Sequence, residues 1–304
     1  MYVAENLSVT PEIAPPTWDF DALAARLACL PAGTRFLDFP GNAGDALIAC
    51  GTHQVFEAHG LRLVEHPVET PLPDGASVVI AGGGNFVPYY DHVAAFLEAG
   101  IGRLGQIVLL PNTVRGNEDL LSRLPSTCLI VVRDLESYAH CEVHLQAAEL
   151  ALCPDMAFAW TRAGHRAALR SALPSALTRP YAWRYLAKCA LAFRQARALR
   201  RAGGRLYALR TDAEATGRAV PEGNIDLSEV FRPRRVDRVN ALMAVEALCR
   251  FMEPFEEVET SRLHIAVMAA HLGKRVKVSD NAYGKLRAVL ALAPEALRDR
   301  ISFE

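Results

Sequence analysis

Arg35-Phe36-Leu37-Asp38-Phe39-Pro40-Gly41-Asn42-Ala43-Gly44-Asp45 begins as a short apolar run, crosses a glycine-bearing turn and enters a helical pattern that continues to His59. The same step recurs downstream. Ser77-Val78-Val79-Ile80-Ala81 precedes Gly82-Gly83-Gly84-Asn85 and a helical stretch from Tyr90 to Glu98, and Gln106 to Leu110 and Leu129 to Val132 continue the strands. Such β/α alternation predicts a parallel sheet covered by helices on both faces, with ligands at the carboxyl ends of the strands.

After Asp155-Met156-Ala157-Phe158 the chain becomes Ala/Arg-rich and helical from Arg162 to Arg201, with breaks at Pro174 and Pro180. A domain boundary is expected there, dividing residues 1–160 from 161–304. A second series follows, with strands near Leu206 to Leu209, Glu257 to Glu259 and Val276 to Val278, and helices near Arg235 to Phe251 and Arg262 to Leu272. The fold class is therefore α/β, with two Rossmann-like domains and parallel sheets. The final helix, Tyr283 to Leu290, with a further helical stretch from Pro294 to Ile301, could pack on either domain, the N-terminal one included.

A chain of 304 residues with 51% hydrophobic content can fill two ordinary domains. Lys and Arg number 33 against 34 Asp and Glu, so no global field favours nucleic acid or an anionic surface. Seven cysteines are scattered without CxxC pairs, which predicts a reducing cytoplasm rather than a disulfide framework. His140 and His144 stand four apart on a predicted helix with no nearby carboxylate cluster of a zinc type, so no metal is expected. The Pro- and Glu-bearing N-terminus is unlike a secretory signal, and no apolar run reaches the length of a membrane span.

Polar and glycine residues concentrate at predicted strand ends. In the first half these are Asn42 and Asp45, with Asp45 a candidate N-cap; Gly83, Gly84 and Asn85; Leu110-Pro111-Asn112-Thr113, whose amide and hydroxyl suit sugar hydroxyls; and Arg133, followed by Asp134 as a helix cap. In the second half Arg210-Thr211-Asp212-Ala213-Glu214 closes a strand with a cation flanked by acids, and Lys285 follows the last strand. Most telling is Glu259-Thr260-Ser261-Arg262-Leu263-His264, where a strand turns into a helix. Thr260 or Ser261 could cap the helix, whose free N–H groups favour an anion. Arg262 adds a planar fork and His264 a group able to move a proton near neutrality. A capped core helix with an ion-paired Arg and a packed His is the plain alternative.

Taken in order, GNAGDALI, AGGGNF, LPNT, VRDLES, PDMAF, LRTDAE, ETSRLH and SDNAYGK resemble the polysaccharide pyruvyl transferase family over roughly residues 36 to 290. That resemblance implies a two-domain arrangement similar to GT-B glycosyltransferases, with an active site in the interdomain cleft. It implies transfer of the enolpyruvyl carbons of phosphoenolpyruvate to a sugar as a ketal, with phosphate released and no cofactor. By the family's pattern, donor contacts fall on Arg210 and on Arg262, Leu263 and His264. The residues themselves add the Thr260/Ser261 helix start and Lys285 as donor contacts, with His264 as the candidate proton donor and Arg262 as the catalytic cation at the departing phosphate. Acceptor contacts are assigned by cleft analogy to Asn42, Asp45, Asn85 and Asn112, with Gly83, Gly84, Arg133, Asp212 and Glu214 as further candidates. A lipid-linked acceptor would require peripheral membrane contact, for which the sequence displays no clear amphipathic anchor. A GT-B glycosyltransferase using a nucleotide sugar and a non-catalytic carbohydrate-binding protein are the competing readings.

Overall fold

Each aliphatic run of the first half becomes a buried parallel strand, as side chains covered on both faces require. The computed structural model describes residues 15–212, 220–280 and 284–304. Its first sheet comprises β1 (Arg35–Asp38), β2 (Val64–Pro67), β3 (Val78–Ile80), β4 (Gly83–Phe86), β5 (Ile107–Val114), β6 (Cys128–Val132) and β7 (Glu149–Leu152). They lie in the order β2-β1-β3-β5-β6-β7, with β4 pairing to β5. Leu37, Ile80, Leu109 and Ile130 stand side by side across the centre and are fully buried. Helices α1 (Phe20–Ala28), α2 (Ala43–Ala58), α3 (His92–Gly100), α4 (Glu118–Arg123) and α5 (Leu135–His144) cover it, and a 3₁₀ turn (Met156–Ala159) follows β7.

The middle of the chain forms α6 (Arg162–Leu177), α7 (Pro180–Gln195) and α8 (Arg197–Ala202). Pro174 lies inside α6, whereas Pro180 starts α7, where its missing N–H has no intrahelical role. The second sheet then runs β11-β10-β9-β8, formed by β8 (Arg205–Ala208), β9 (Glu257–Thr260), β10 (Arg275–Val278) and β11 (Ile301–Phe303), all parallel. Its helices are α9 (Leu227–Val230), α10 (Arg238–Met252), α11 (Leu263–His271), α12 (Lys285–Leu290) and α13 (Glu295–Arg298).

Two features depart from the sequence reading. The glycine run after β3 is not a loop: Gly83–Phe86 is a short strand against β5. That pairing depends on β5 running on through Pro111, Asn112 and Thr113 to Val114, with its register to β6 skipping from Leu109 to Asn112 around the residue that lacks an N–H. At the C-terminus the stretch expected to be helical from Pro294 is helical over Glu295–Arg298, but it stops short of Ile301, which begins an edge strand on β10. Leu286, Val289 and Leu290 of α12 are buried in the larger core, while Leu292 packs on the cluster beneath the first sheet.

Helix α2 joins the two sheets. It is buried along most of its length, including Ala43, Ala46, Leu47, Ile48, Ala49 and Cys50, and packs on α10 and α11. One apolar cluster therefore runs from Leu47 and Cys50 into Ala241, Val245, Ile265 and Met268. Burial of a single Leu of this kind stabilises by about 1.5–3 kcal/mol. The packing sets the N-termini of α2 and α11 against each other, which builds the site. Among the described residues no helix is long and apolar enough to cross a membrane.

Candidate functional site

A cavity of about 120 Å³ opens where the carboxyl ends of the first sheet face those of the second. Its lining includes Asn42, Asp45, Gly84, Asn85 and Arg133 from the first half, and Arg210, Asp212, Ser261, Arg262, Leu263, His264 and Lys285 from the second. With Arg232 the wall carries five permanent cations, against the carboxylates of Asp45, Asp212 and Glu229. The surplus is positive, in a chain that is close to neutral overall.

The turn from β9 to α11 is held by its hydroxyls, though not as helix caps. Thr260 Oγ1 donates to Ala208 O at 2.7 Å and accepts from Arg262 N at 3.0 Å, and Ser261 Oγ accepts from Arg210 N at 3.0 Å. Thr260 is fully buried and does not line the cavity, which corrects its assignment as a donor contact. Helix α11 starts at its N-cap Arg262 with no side-chain cap. Its first N–H groups thus keep their capacity for an anion.

Arg262 is not an open fork. Its Nε and Nη2 reach Asp226 Oδ1 and Oδ2 at 3.1 and 2.6 Å, while Nη1 stands 2.9 Å from Asp212 Oδ2. Arg210 grips the same Asp212 through Nε at 2.8 Å and Nη2 at 3.1 Å. One carboxylate therefore lies between two guanidinium groups on the cavity wall. Both the ion-pair reading and the ligand reading of these arginines hold a share, since each is largely buried by its pair yet presents an edge to the cavity.

His264 faces a second buried pair. Its Nε2 lies 3.4 Å from Asp155 Oδ2, the oxygen that Arg133 Nη1 also contacts, and Asp155 Oδ1 accepts from Ala157 N at 2.8 Å. Burial by itself would raise the Asp155 carboxyl, but Arg133, His264 and the Ala157 N–H hold it well below the usual carboxylate range. Arg133 is completely buried and also donates to Thr113 Oγ1 at 3.0 Å. Thr113 continues the chain to Asp134, whose other oxygen caps α5 through Ser137 N at 2.8 Å.

On the first-half side, Asn42 caps α2 by accepting from Gly44 N at 2.7 Å, and Asp45 returns the bond by accepting from Asn42 N at 2.7 Å. Asp45 is thus the reciprocal partner of a capping box rather than the cap itself. Both still line the cavity, as does Asn85. Asn112 does not: it is buried, and with its amide turned to satisfy both groups it donates to Gly83 O at 2.9 Å and accepts from Gly83 N at 3.3 Å. That residue builds β4, a role in which no sugar reaches it. Gly84 lines the cavity whereas Gly83 does not, and Glu214 lies outside the described residues.

The family model for polysaccharide pyruvyl transferase matches residues 42–278, which takes in both walls of the cavity. The chain belongs to the polysaccharide pyruvyl transferase family. EpsO of Bacillus subtilis (strain 168), described only provisionally as a pyruvyl transferase, is 27% identical over 284 residues and covers 82% of each chain. A solved structure of KP1_0663, a protein of unassigned function from Klebsiella pneumoniae subsp. pneumoniae NTUH-K2044, has a TM-score of 0.70 at 21% identity, covering 93% of this chain and 96% of that one. It shows the parallel-sheet α/β fold.

For this family member several cavity residues lie outside those singled out from sequence: Tyr90, Ser228, Glu229 and Arg232 on the wall, and Asp155 and Asp226 behind it. Asp155 carried a usable signal, an acid three residues beyond β7, and Asp226 one of another kind, an acid directly before the short helix α9, but nothing local named their partners. His140 and His144 have no carboxylate cluster of a zinc type beside them in the sequence, whereas folding brings the ligand atoms of Glu118, His140 and His144 to within 4.8 Å of one another, away from the cavity.

Gly44 makes the contact of α2 with α11 possible. A Cβ there would stand 2.9 Å from His264 Nδ1 and 3.0 Å from His264 Cβ. Alanine is otherwise the better helix residue by up to about 1 kcal/mol. Gly44→Ala is therefore expected to leave the melting temperature nearly unchanged while lowering turnover at least about tenfold, since a displacement near 1 Å of a reacting group can cost about 10²-fold. Thermal melting and steady-state kinetics on one preparation separate the two effects.

Proposed function

We propose that the protein transfers pyruvate from phosphoenolpyruvate to a sugar of an exopolysaccharide, capsule or cell-wall glycan precursor, forming a ketal and releasing phosphate. One observation carries this reading: Asp212 already holds a carboxylate between Arg210 and Arg262, beside His264. A three-carbon acid bearing both carboxylate and phosphate needs such a pair, together with further cations and N–H donors. Lys285, Arg133 and the uncapped start of α11 provide these. The two parallel-sheet halves then correspond to a GT-B-like arrangement, with residues 1–160 as the acceptor side and 161–304 as the donor side.

In the proposed reaction a proton goes to the methylene carbon and C2 acquires oxocarbenium character. A sugar hydroxyl attacks C2, the C2–O bond to phosphate breaks, and a second hydroxyl closes the ring. Of the two hydroxyl protons, one is balanced by the new methyl hydrogen and the other leaves on phosphate. His264 delivers the proton, with Asp155 positioning the ring through Nε2 and leaving Nδ1, on the Gly44 side, for substrate. Arg262 offsets charge on the departing phosphate.

The acceptor reaches this point along a groove. Asp45 and Asn85 are shared between the cavity and a narrow neck lined also by Asp38, Phe39 and Val236, which leads to a second cavity with Glu65, Arg179, Arg235 and Asp237. Carboxylates and an aromatic ring in a groove suit sugar hydroxyls and ring faces. Burial raises the Asp38 carboxyl well above its usual range, with Glu65 and Asp237 adding to the effect, and its Oδ1 is buried without a hydrogen-bond partner among the described residues. A raised folded value means that the folded chain holds the proton more tightly. This contribution to stability is complete below the unfolded value of about 3.9 and is lost as pH rises through the folded one. Asp38→Asn should therefore melt above wild type at pH 7 and close to it near pH 3, while acceptor KM rises about tenfold and phosphoenolpyruvate affinity holds. Calorimetry at the two pH values and kinetics with each substrate varied check this.

The decisive experiment incubates the protein with phosphoenolpyruvate and candidate glycan repeat units. Expected are acceptor-dependent phosphate release and a product heavier by one pyruvate less one water. Transfer that instead depends on a nucleotide sugar, or no phosphate release with any acceptor, would overturn the reading.

A further inference from the structure

The Ala/Arg-rich stretch that matches no motif is the most unevenly charged part of the molecule. From residue 156 to residue 211 it contains 12 Lys and Arg and no Asp or Glu, leaving 21 Lys and Arg against 34 Asp and Glu in the rest of the chain. It supplies α6, α7 and α8.

Helix α7 is apolar on two sides. Inward, Ala182, Tyr185 and Cys189 are buried, as is Ala196 just past the helix end, and Phe193 meets Phe231 and Phe251 edge-on. Outward, Trp183, Leu186 and Leu191 are 60%, 42% and 55% exposed, and the exposed Ala187 and Ala190 complete a stripe at helical spacing. Trp183 Nε1 donates to Leu177 O at 3.0 Å, which joins the stripe to the exposed Leu173 and Leu177 of α6. Arg184, Lys188, Arg194, Arg197 and Arg201 are exposed around it. Of these, Arg184, Arg194, Arg197 and Arg201 have no ion-pair partner among the described residues.

Scattered exposed leucines are ordinary, but a helical apolar stripe containing Trp and rimmed by cations is not. A second copy docked symmetrically would set this acid-free rim against itself, and like charges would repel. An anionic bilayer satisfies every part: the leucines enter the acyl boundary, Trp183 sits at headgroup level and the arginines meet phosphates. We propose that the outer face of α6 and α7 docks the protein peripherally on an anionic phospholipid membrane.

The placement also serves the cavity. Tyr185 Oη donates to Phe231 O at 2.8 Å and Lys188 Nζ to Arg232 O at 3.2 Å, so the inner side of α7 rests on the segment whose Arg232 lines the cavity. Only the width of one helix, about 10–12 Å, separates the docking stripe from that backbone. Docking is independent of the transfer reaction, so its test needs neither donor nor acceptor, and failure of one leaves the other standing.

The purified full chain is sedimented with vesicles of phosphatidylglycerol and phosphatidylethanolamine, and separately with phosphatidylcholine alone. Expected is binding to the anionic vesicles with a blue shift of Trp emission, falling on the order of tenfold between low and about 0.5 M salt. Trp183→Ser with Leu191→Ser, and separately Arg184→Glu with Arg194→Glu, should each lower binding at least tenfold with unchanged melting temperature. Wild-type binding by these variants, equal binding to phosphatidylcholine, or no vesicle binding at all overturns the proposal. So does a concentration-dependent dimer in light scattering that the Trp183→Ser variant abolishes, because that would give the face to a second copy.

Discussion

His264→Ala is expected to lower turnover by about 10²–10⁴-fold, the range over which a positioned acid accelerates proton transfer, while phosphoenolpyruvate affinity should stay within a few fold of wild type. The separation follows from the arrangement of the cavity. In the proposed reaction the donor's charges would be met by Arg210, Arg262, Lys285 and the start of α11, whereas His264 stands at the junction with α2, its Nε2 3.4 Å from Asp155. Isothermal titration with phosphoenolpyruvate and single-turnover kinetics measure the two quantities independently. Turnover near wild type would remove His264 as the proton donor; a parallel loss of affinity and turnover would make it a phosphate ligand. Asp155→Asn should fall between, losing turnover with affinity kept, since it acts only by positioning the ring.

The second large effect is on stability. Arg133→Met should cost about 3–5 kcal/mol, the usual penalty for removing one partner of a buried pair, because Asp155 would remain buried without its main counter-charge. Chemical denaturation at pH 7 reads this directly, and adding Asp155→Asn should recover much of the loss. The sign with pH is fixed by the depressed Asp155 carboxyl. Its contribution is present above the unfolded value of about 3.9 and is lost as pH falls through the lower folded value. The stability gap between wild type and Asp155→Asn should accordingly be constant from pH 7 to about 5 and shrink as the solution is acidified further. A gap that widened in acid would show that the pair does not behave as a buried ion pair.

Much of this architecture was legible because it rests on local patterns. Short aliphatic runs such as Ser77 to Ala81 can be satisfied only as strands covered on both sides, and the helical stretches between them fix a parallel order. Asp134 as a cap and the turn before His264 followed in the same way from neighbouring residues. The errors have a common source. Asn112 reads as a free amide at a strand end, yet its partner Gly83 lies in a segment that looks like a loop until β5 extends beside it. Thr260 reads as a helix cap, but β8 offers its hydroxyl a backbone carbonyl from 52 residues away. The outward stripe of α7 is a different case: Ala182, Tyr185 and Cys189 are buried on one side while Trp183, Leu186 and Leu191 are exposed on another, and only burial tells the two apolar sides apart.

The sequence by itself determined the order of strands and helices, the loops that gather at strand ends, and the chemical types available there: arginines, a histidine and free helix N–H groups. These are properties of residues within a few positions of one another, where sterics and local hydrogen bonding decide. Only the tertiary structure decided which groups meet. Arg262 on Asp212 and Asp226, and Asp155 between Arg133 and His264, are electrostatic pairings across distant segments; Arg210 with Asp212, two residues apart, is local. The contact of His264 with Asp155 exists because α2, buried against α10 and α11, presses Gly44 onto His264 and brings the two sheets' carboxyl ends together; the others form within one half, where neighbouring strands bring their loops side by side. Packing of that kind depends on shape complementarity between whole elements, which no local pattern encodes.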